Sequence, residues 1–128
     1  MRLFFKFPGI PVPKGRPRLI APGVVYTPAK TKSYEKLIGT LAHVGMGAKK
    51  PLEGPLYVEL TAFLPQPKHA KCSLPVGKPD IDNLLKSALD GLNRIVWQDD
   101  SQICQLSVQK QYAANPRLEI KVEEITCI

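Results

Sequence analysis

All five aspartates of this 128-residue chain lie within the 21 residues from Asp80 to Asp100. The rest of the chain is basic, and the formal net charge is +7. Carboxylates crowded into a cationic protein need a neutralising partner, and Mg²⁺ takes oxygen ligands from one or two carboxylates together with substrate phosphates. A basic surface around such a site implies a polyanionic substrate. The pattern therefore indicates metal-dependent chemistry on nucleic acid.

Asp80 and Asp82 flank the predicted start of a helix, where the positive end of the helix dipole favours carboxylates. An aspartate at a helix start is usually an N-cap, which explains one of the two but not both. Lys86 follows Asp82 by four residues, a spacing typical of an ordinary surface ion pair. Beside Asp80 and Asp100, a lysine that touches a phosphate oxygen or the attacking water is the favoured interpretation. Asp90 is either a neighbour of the ligands or a plain surface charge, and we do not count it as a ligand.

Asp99 and Asp100 precede a predicted strand, and neighbouring side chains on an extended segment point to opposite faces. Only one of them can then readily join Asp80 and Asp82. Asp100 is favoured because it is in phase with the apolar side of the following strand, namely Cys104, Leu106 and Val108.

The positive charge is clustered. Residues 1–50 hold ten Lys/Arg and a single acid, and residues 65–79 add three lysines without an acid. Such clustering is typical of contacts to a phosphate backbone, although a solvated face that only aids solubility has the same composition. The candidate backbone contacts are Lys14, Arg16, Arg18, Lys30, Lys32, Lys68 and Lys71.

The periodicity predicts a β-rich sheet carrying two helices, in one α+β domain that spans residues 1–128. Strands are expected at residues 2–7, 56–64, 102–112 and 117–123, with a short hairpin at 18–26 turning at Pro22-Gly23. Ala113-Ala114-Asn115-Pro116 is interpreted as a hairpin turn joining the last two strands. Two Pro-rich basic loops occupy residues 8–17 and 65–79.

The first helix is predicted to begin with Thr27 as N-cap and Pro28 as its first residue, and to end at Gly45 and Gly47. Its apolar face consists of Tyr34, Leu37, Ile38 and Leu41. The second helix is predicted over residues 81–96, and Trp97 after it is expected to be a core anchor rather than a base-stacking residue.

The three cysteines lie too far apart for a paired motif, and we expect reduced thiols in a cytoplasmic protein without structural zinc. No apolar run reaches the ~20 residues of a membrane span.

The aspartate segment resembles one family. The residues that carry the resemblance are Lys78-Pro-Asp80-Ile-Asp82-Asn83-Leu-Leu-Lys86, then Leu89-Asp90-Gly91-Leu92, then Trp97-Gln-Asp99-Asp100-Ser-Gln-Ile103. This run is similar to the RusA Holliday-junction resolvases, small endonucleases common in phages and prophages. The segments Lys14-Gly15-Arg16-Pro17-Arg18 and Tyr26-Thr27-Pro28-x-Lys30-Thr31-x-x-Tyr34 extend the likeness to the front of the chain.

The resemblance implies that Asp80, Asp82 and Asp100 bind Mg²⁺, with Mn²⁺ as a substitute, and that Lys86 is the catalytic lysine. It also implies a two-layer RusA-like fold with a mixed sheet, and a homodimer that acts on a DNA four-way junction. Paired symmetric nicks would then leave 5′-phosphate and 3′-hydroxyl ends.

Two other functions compete with this one. A non-catalytic DNA-binding accessory protein would need the basic face but not Asp80, Asp82 and Lys86 together. A metal nuclease acting on other branched DNA is the closer rival. A phosphatase is disfavoured because its Asp-x-Asp would follow a buried apolar strand, whereas here it follows a Pro-rich loop. A glycosyltransferase is disfavoured because 128 residues leave little room for its nucleotide-binding domain.

Overall fold

The protein is described here by a computed structural model that covers residues 1–15, 18–26 and 28–127. The expected α+β class is confirmed, since a four-stranded mixed sheet packs against two helices. In chain order the elements are β1 (Arg2–Pro8), β2 (Arg18–Ala21), β3 (Val24–Tyr26), α1 (Ala29–Met46), β4 (Leu56–Leu64), α2 (Ile81–Leu92), a 3₁₀ turn (Asp100–Gln102), β5 (Ile103–Tyr112) and β6 (Arg117–Glu124).

The strands of the main sheet are ordered β1-β6-β4-β5, and β2 and β3 form a separate hairpin. β4 alternates buried and half-buried residues along its whole length, and it pairs antiparallel with β6 and parallel with β5. The interpretation of 113–116 as a hairpin turn is therefore wrong, because β4 lies between the strands that this segment connects. The short connection passes over the end of β4, where the Ala113 N–H donates to the Leu64 carbonyl at 3.0 Å.

Helix α1 differs from its prediction at both ends. Pro28 is the N-cap residue rather than the first helical residue, and Thr27 lies outside the described residues. At the other end Gly45 is still helical, and Gly47 ends the helix with a φ of 57°. The buried face is Thr31, Tyr34, Ile38, Gly39, Ala42 and Met46.

Leu37 and Leu41, which were expected on the apolar face of α1, are 49% and 40% exposed. The face of α1 that contacts the rest of the fold is therefore narrower than the face formed by its apolar residues. Small residues, including Gly39, occupy part of that contacting face, which lets α1 approach its neighbour closely.

Helix α2 ends at Leu92, four residues before the predicted end. Asn93 is the C-cap, and Arg94 adopts a φ of 67°, the left-handed conformation that commonly ends helices. Ile95 and Val96 continue to pack on the core after the helix has ended, so their apolar character extended the helical pattern. Trp97 is fully buried and its Nε1 donates to Asn93 Oδ1 at 2.6 Å, which confirms it as a core residue.

The two helices cross at a pair of glycines. A Cβ on Gly39 would lie 2.9 Å from the Gly91 carbonyl oxygen, and a Cβ on Gly91 would lie 2.8 Å from the Ile38 side chain. This close approach joins α1, which carries several of the lysines, to α2, which carries Asp82 and Lys86.

Cys72, Cys104 and Cys127 are free and exposed, as expected for reduced thiols. Among the described residues no helix is both long and apolar enough to span a membrane.

Candidate active site

Asp80 occupies the N-cap position of α2 with extended backbone, but its side chain makes no capping hydrogen bond. Both of its carboxylate oxygens instead lie 2.9 Å from Lys78 Nζ. The two side chains are 45% and 84% exposed, so the pair adds little stability and can open without a large cost. The capping explanation for Asp80 therefore fails, and its carboxylate faces solvent, where it is available to a cation.

Asp82 and Lys86 are both exposed on the first two turns of α2. They do not form the surface ion pair that their spacing suggests, and neither has an ion-pair partner in the described part of the chain. The helix dipole places positive potential at the first turn, beside the Asp82 carboxylate. Asp80, Asp82 and Lys86 thus present two carboxylates and an ammonium group to solvent from one end of one helix.

Asp99 and Asp100 have different surroundings. Asp99 caps the 3₁₀ turn: its Oδ2 accepts the Ser101 N–H at 3.1 Å, while Gln102 Oε1 accepts the Asp99 N–H at 2.8 Å. The Ser101 hydroxyl and then its backbone N–H hold the pKa of Asp99 below its usual range. Asp100, half-buried in the same turn, has no such role, so its carboxylate is the more available of the two.

The alternation along the strand that favoured Asp100 as the metal ligand does not extend to this residue. The capping role of Asp99 nevertheless supports the choice of Asp100. Residues 100–102 are a 3₁₀ turn rather than a strand, and the register of β5 against β4 shifts at Cys104. Cys104 is exposed, whereas Ile103 packs on the core. A bulge resets the alternation of side chains, so the phase cannot be extended back to Asp100.

The described residues do not form a complete metal site. In residues 1–15, 18–26 and 28–127, no group of three His, Cys, Asp or Glu side chains is placed to hold one ion. The exposed oxygen donors at the start of α2 suit a hard cation chemically. The arrangement of Asp80, Asp82 and Asp100 around a shared ion remains a prediction.

Lys14, predicted as a DNA contact, is engaged inside the protein. Its Nζ lies 2.8 Å from Glu35 Oε2 on α1 and 3.0 Å from Asp90 Oδ2 on α2, and its side chain is only 14% exposed. Burial lowers the pKa of Lys14, but the hydrogen bonds to Glu35 and Asp90 outweigh it and hold the pKa above its usual value. This ammonium joins the two helices, and it gives Asp90 a structural partner.

Lys110 is a site residue that sequence reasoning missed. Its Nζ donates to the carbonyl oxygens of Gly77 and Pro79, each at 2.9 Å, and so ties the segment before Asp80 to β5. Lys110 pairs with the buried Ala62 of β4. A charged residue at an inward position of an amphipathic strand is a signal that could have identified it.

The remaining predicted DNA contacts differ in how they are placed. Lys30, Lys32, Lys68 and Lys71 are exposed, and none pairs with a carboxylate within the described ranges. Arg18 starts β2, and Arg16 lies outside the described residues. Lys30, at the start of α1, lines a cleft that also reaches Asp80.

Comparison with known proteins assigns the chain to a family. The family model described as endodeoxyribonuclease RusA matches residues 8–123. The chain belongs to the RusA family. The match includes the aspartate segment, α2, and both loops that border the cleft. As a RusA-family protein it is an endonuclease of DNA. The nucleases of this family generally depend on a divalent metal ion.

A curated relative gives no further assignment. The RusA-family chain is 32% identical, over 136 aligned residues, to the uncharacterized protein YqaN of Bacillus subtilis (strain 168). The alignment covers 92% of this chain and 93% of the relative, so the two proteins are similar along nearly their whole lengths.

Proposed function

We propose that this RusA-family chain is a Mg²⁺-dependent endonuclease that resolves DNA four-way junctions by paired, symmetric nicks, and that Mn²⁺ can replace Mg²⁺. The observation that carries the proposal is the group at the start of α2. There the carboxylates of Asp80 and Asp82 face solvent and do not cap the helix. Lys86 follows without an ion-pair partner in the described structure. Asp80 does not cap the helix and has only an exposed partner, Lys78, while Asp82 and Lys86 do not pair with each other.

The cation would be held by Asp80, Asp82 and Asp100. Mg²⁺ keeps several waters and shares its shell with substrate phosphates, so water and a phosphate of the bound DNA would complete the ligand set. When bound, such an ion activates water and stabilises charge on the scissile phosphate and on the leaving 3′ oxygen.

The chain's own residues supply orientation and charge. In this proposal the positive end of α2 and the Lys86 ammonium stabilise the negative charge that develops on the phosphate. Lys86 extends from the exposed face of α2, so it can contact a phosphate oxygen or orient the water. Cleavage by this route leaves a 5′-phosphate and a 3′-hydroxyl.

A homodimer suits the substrate. A four-way junction has near-twofold symmetry, and a C2 dimer presents identical sites to two opposing strands. Paired nicks on opposing strands follow from that symmetry, since each copy of the chain needs to cut only once.

The decisive experiment measures cleavage of a synthetic four-way junction with Mg²⁺, without Mg²⁺, and with a chelator. We expect cleavage only with the metal, and its loss in Asp82→Asn. The matched control is Glu123→Gln, which removes a carboxylate of β6 whose ion-pair partner is the exposed Arg2 of β1, and it should cut like the wild type. Wild-type rates from Asp82→Asn would refute the metal assignment.

The rival functions are separated by substrate. Cutting rates on four-way, three-way and linear DNA of equal length distinguish a junction resolvase from a nuclease of other branched DNA. A non-catalytic accessory protein would bind the junction but would cut none of the three substrates, with or without Mg²⁺.

A further inference from the structure

A cleft of about 660 Å³ lies beside Asp80, between the segment from Ile10 to Lys14 and the segment from Pro65 to Asp80. We call it the proline cleft, because six of the residues that line it are prolines: Pro11, Pro13, Pro65, Pro67, Pro75 and Pro79. The side chains of Ile10, Leu64 and Tyr112 complete its apolar surface. Its size is within the range of small-molecule sites, and it is far too small for a duplex.

The first wall of the proline cleft is fixed to both helices. Ser87 Oγ on α2 donates to the Val12 carbonyl at 2.6 Å, and the Lys14 N–H donates to the Asn83 carbonyl at 2.8 Å. Thr31 Oγ1 on α1 donates to the Pro13 carbonyl at 3.1 Å. This Pro-rich segment is therefore a bound part of the fold, although its sequence is typical of a free loop.

The end of the second wall next to Asp80 is fixed to the sheet. Lys110 on β5 holds the carbonyls of Gly77 and Pro79, and Pro75 is buried. Tyr112, at the end of the same strand, lines the cleft between the two walls. Because proline also restricts the backbone on both sides, the cleft is formed before any ligand arrives.

The proline cleft has an apolar interior and positively charged residues at its edge, a distribution that suits a nucleotide. Lys30 and Lys78 line the cleft with exposed ammonium groups, of which Lys78 is paired with Asp80 at its edge. The interior is apolar, with the half-buried Asn83 among the few polar groups. A nucleobase has apolar faces and polar edges, and it is joined to anionic phosphates. An apolar cleft between lysines is complementary to that distribution.

We propose that the proline cleft takes up one unstacked nucleobase of the DNA substrate, next to the phosphate that is cut. The base enters between the prolines and stacks on Tyr112, while its flanking phosphates meet Lys30 and also Lys78, which Asp80 would release on binding the cation. Bases at a branch point are the least costly to unstack, so occupancy of the cleft favours branched over continuous DNA. This inference rests on the proposed nuclease function, since it assumes that the scissile phosphate lies at Asp80.

The test is photocrosslinking with 5-iododeoxyuridine, placed in turn at each position around the cleavage site of a four-way junction. Asp82→Asn with Mg²⁺ holds the substrate uncut. One or two positions should crosslink, and mass spectrometry should map the adduct to Tyr112. Crosslinks confined to residues outside the cleft, or none at any position in a formed complex, would overturn the inference.

Binding by cleft variants gives a second measurement. Tyr112→Leu keeps an apolar side chain but removes the aromatic face, and loss of one base–aromatic stack should weaken junction binding about tenfold. Ile10→Ser should weaken it in the same direction. Val76→Ser is the matched control, because Val76 is exposed in the same segment as the second wall but does not line the cleft.

The two proposals fail separately. If the wild type cuts junctions with Mg²⁺ while Tyr112→Leu and Val76→Ser bind equally well, the cleft assignment is wrong and the nuclease assignment stands. If no branched DNA is cut under any condition, the proposed function itself is wrong.

Discussion

Lys110 Nζ lies 2.9 Å from the carbonyl oxygen of Pro79, the residue that precedes Asp80. This hydrogen bond connects β5 to the segment that carries the first carboxylate of the candidate site. The Asp80 carbonyl accepts the Leu84 N–H at 3.1 Å, so Asp80 is fixed by α2 on one side and by this anchored segment on the other.

Replacing Lys110 with Met should impair the site without unfolding the protein. Loss of the anchor lets the segment before Asp80 shift. If Asp80 binds the cation as proposed, the effect should resemble loss of an outer partner of a metal ligand, which typically costs about 10–100-fold in metal affinity or activity. We expect the Mg²⁺ concentration for half-maximal cleavage to rise by about tenfold, with partial rescue in Lys110→Arg. Lys121→Met removes an exposed lysine from the sheet and serves as the control. An unchanged Mg²⁺ requirement in Lys110→Met would contradict this role.

Lys14 should contribute to stability rather than to DNA binding. Lys14→Met leaves Glu35 and Asp90 close together without their shared cation, and we expect the free energy of unfolding to fall by about 1–3 kcal/mol. Urea unfolding measures this. The exposed Lys32→Met is the matched control on α1 and should change stability by less than about 0.5 kcal/mol.

The same ammonium predicts a pH dependence. The pKa of Lys14 is raised in the folded state, so its contribution is complete below the unfolded value of about 10.5 and is lost as the pH rises through the higher folded value. Wild-type stability should therefore fall above pH ~10.5 more steeply than that of Lys14→Met. Parallel curves for the two proteins in that window would argue against the link.

Asp100 and Asp99 should respond differently to the same substitution. Asp99 acts as a cap, and Asn caps as well as Asp, so Asp99→Asn should preserve both folding and cleavage. Asp100→Asn should reduce the cleavage rate by more than the roughly 10–100-fold typical of an outer partner. Single-turnover cleavage with saturating Mg²⁺ compares them, and equal losses from the two variants would remove the distinction.

The glycine crossing should be intolerant of a side chain. In Gly91→Ala the new Cβ would meet Ile38 at 2.8 Å and the Glu35 carbonyl at 3.0 Å, so the helices must separate. We expect a loss of about 1–3 kcal/mol in the free energy of unfolding. Gly54→Ala is the control, since nothing lies within 4 Å of its added Cβ. Thermal or urea unfolding of the two variants decides the matter.

Surface lysines should determine the salt dependence of DNA binding. Each Lys→Gln change at Lys30, Lys32, Lys68 or Lys71 that removes a phosphate contact should lower the slope of log affinity against log salt by about 1, nearly independently of sequence. Lys14→Gln should leave the slope unchanged, because Glu35 and Asp90 already compensate its charge. A reduced slope in Lys14→Gln would restore its original assignment as a DNA contact.

Several features could be inferred from the sequence because near neighbours determine them. Alternation along 2–7 and 56–64 identified β1 and β4, and the Pro22-Gly23 turn identified the short hairpin. The spacing of Asp80, Asp82 and Lys86 placed them at one end of a helix. The resemblance carried by the aspartate segment identified the family, which the match over residues 8–123 confirmed.

Other features depended on contacts between distant residues. Nothing local to 113–116 shows that β4 lies between the strands it connects, and nothing local to Cys104 shows that the register shifts there. The partners of Lys14 are 21 and 76 residues away, so its burial was invisible in a basic Pro-rich segment.

Local pattern thus determined which elements form and which side chains carry chemistry, because periodicity and turn preferences act over a few residues. Only the tertiary structure decided which charged side chains are exposed and unpaired, and so available to DNA. Burial and ion pairing depend on segments far apart in the chain, and they engage Lys14, Asp90 and Lys110 inside the protein while Asp82 and Lys86 remain in solvent.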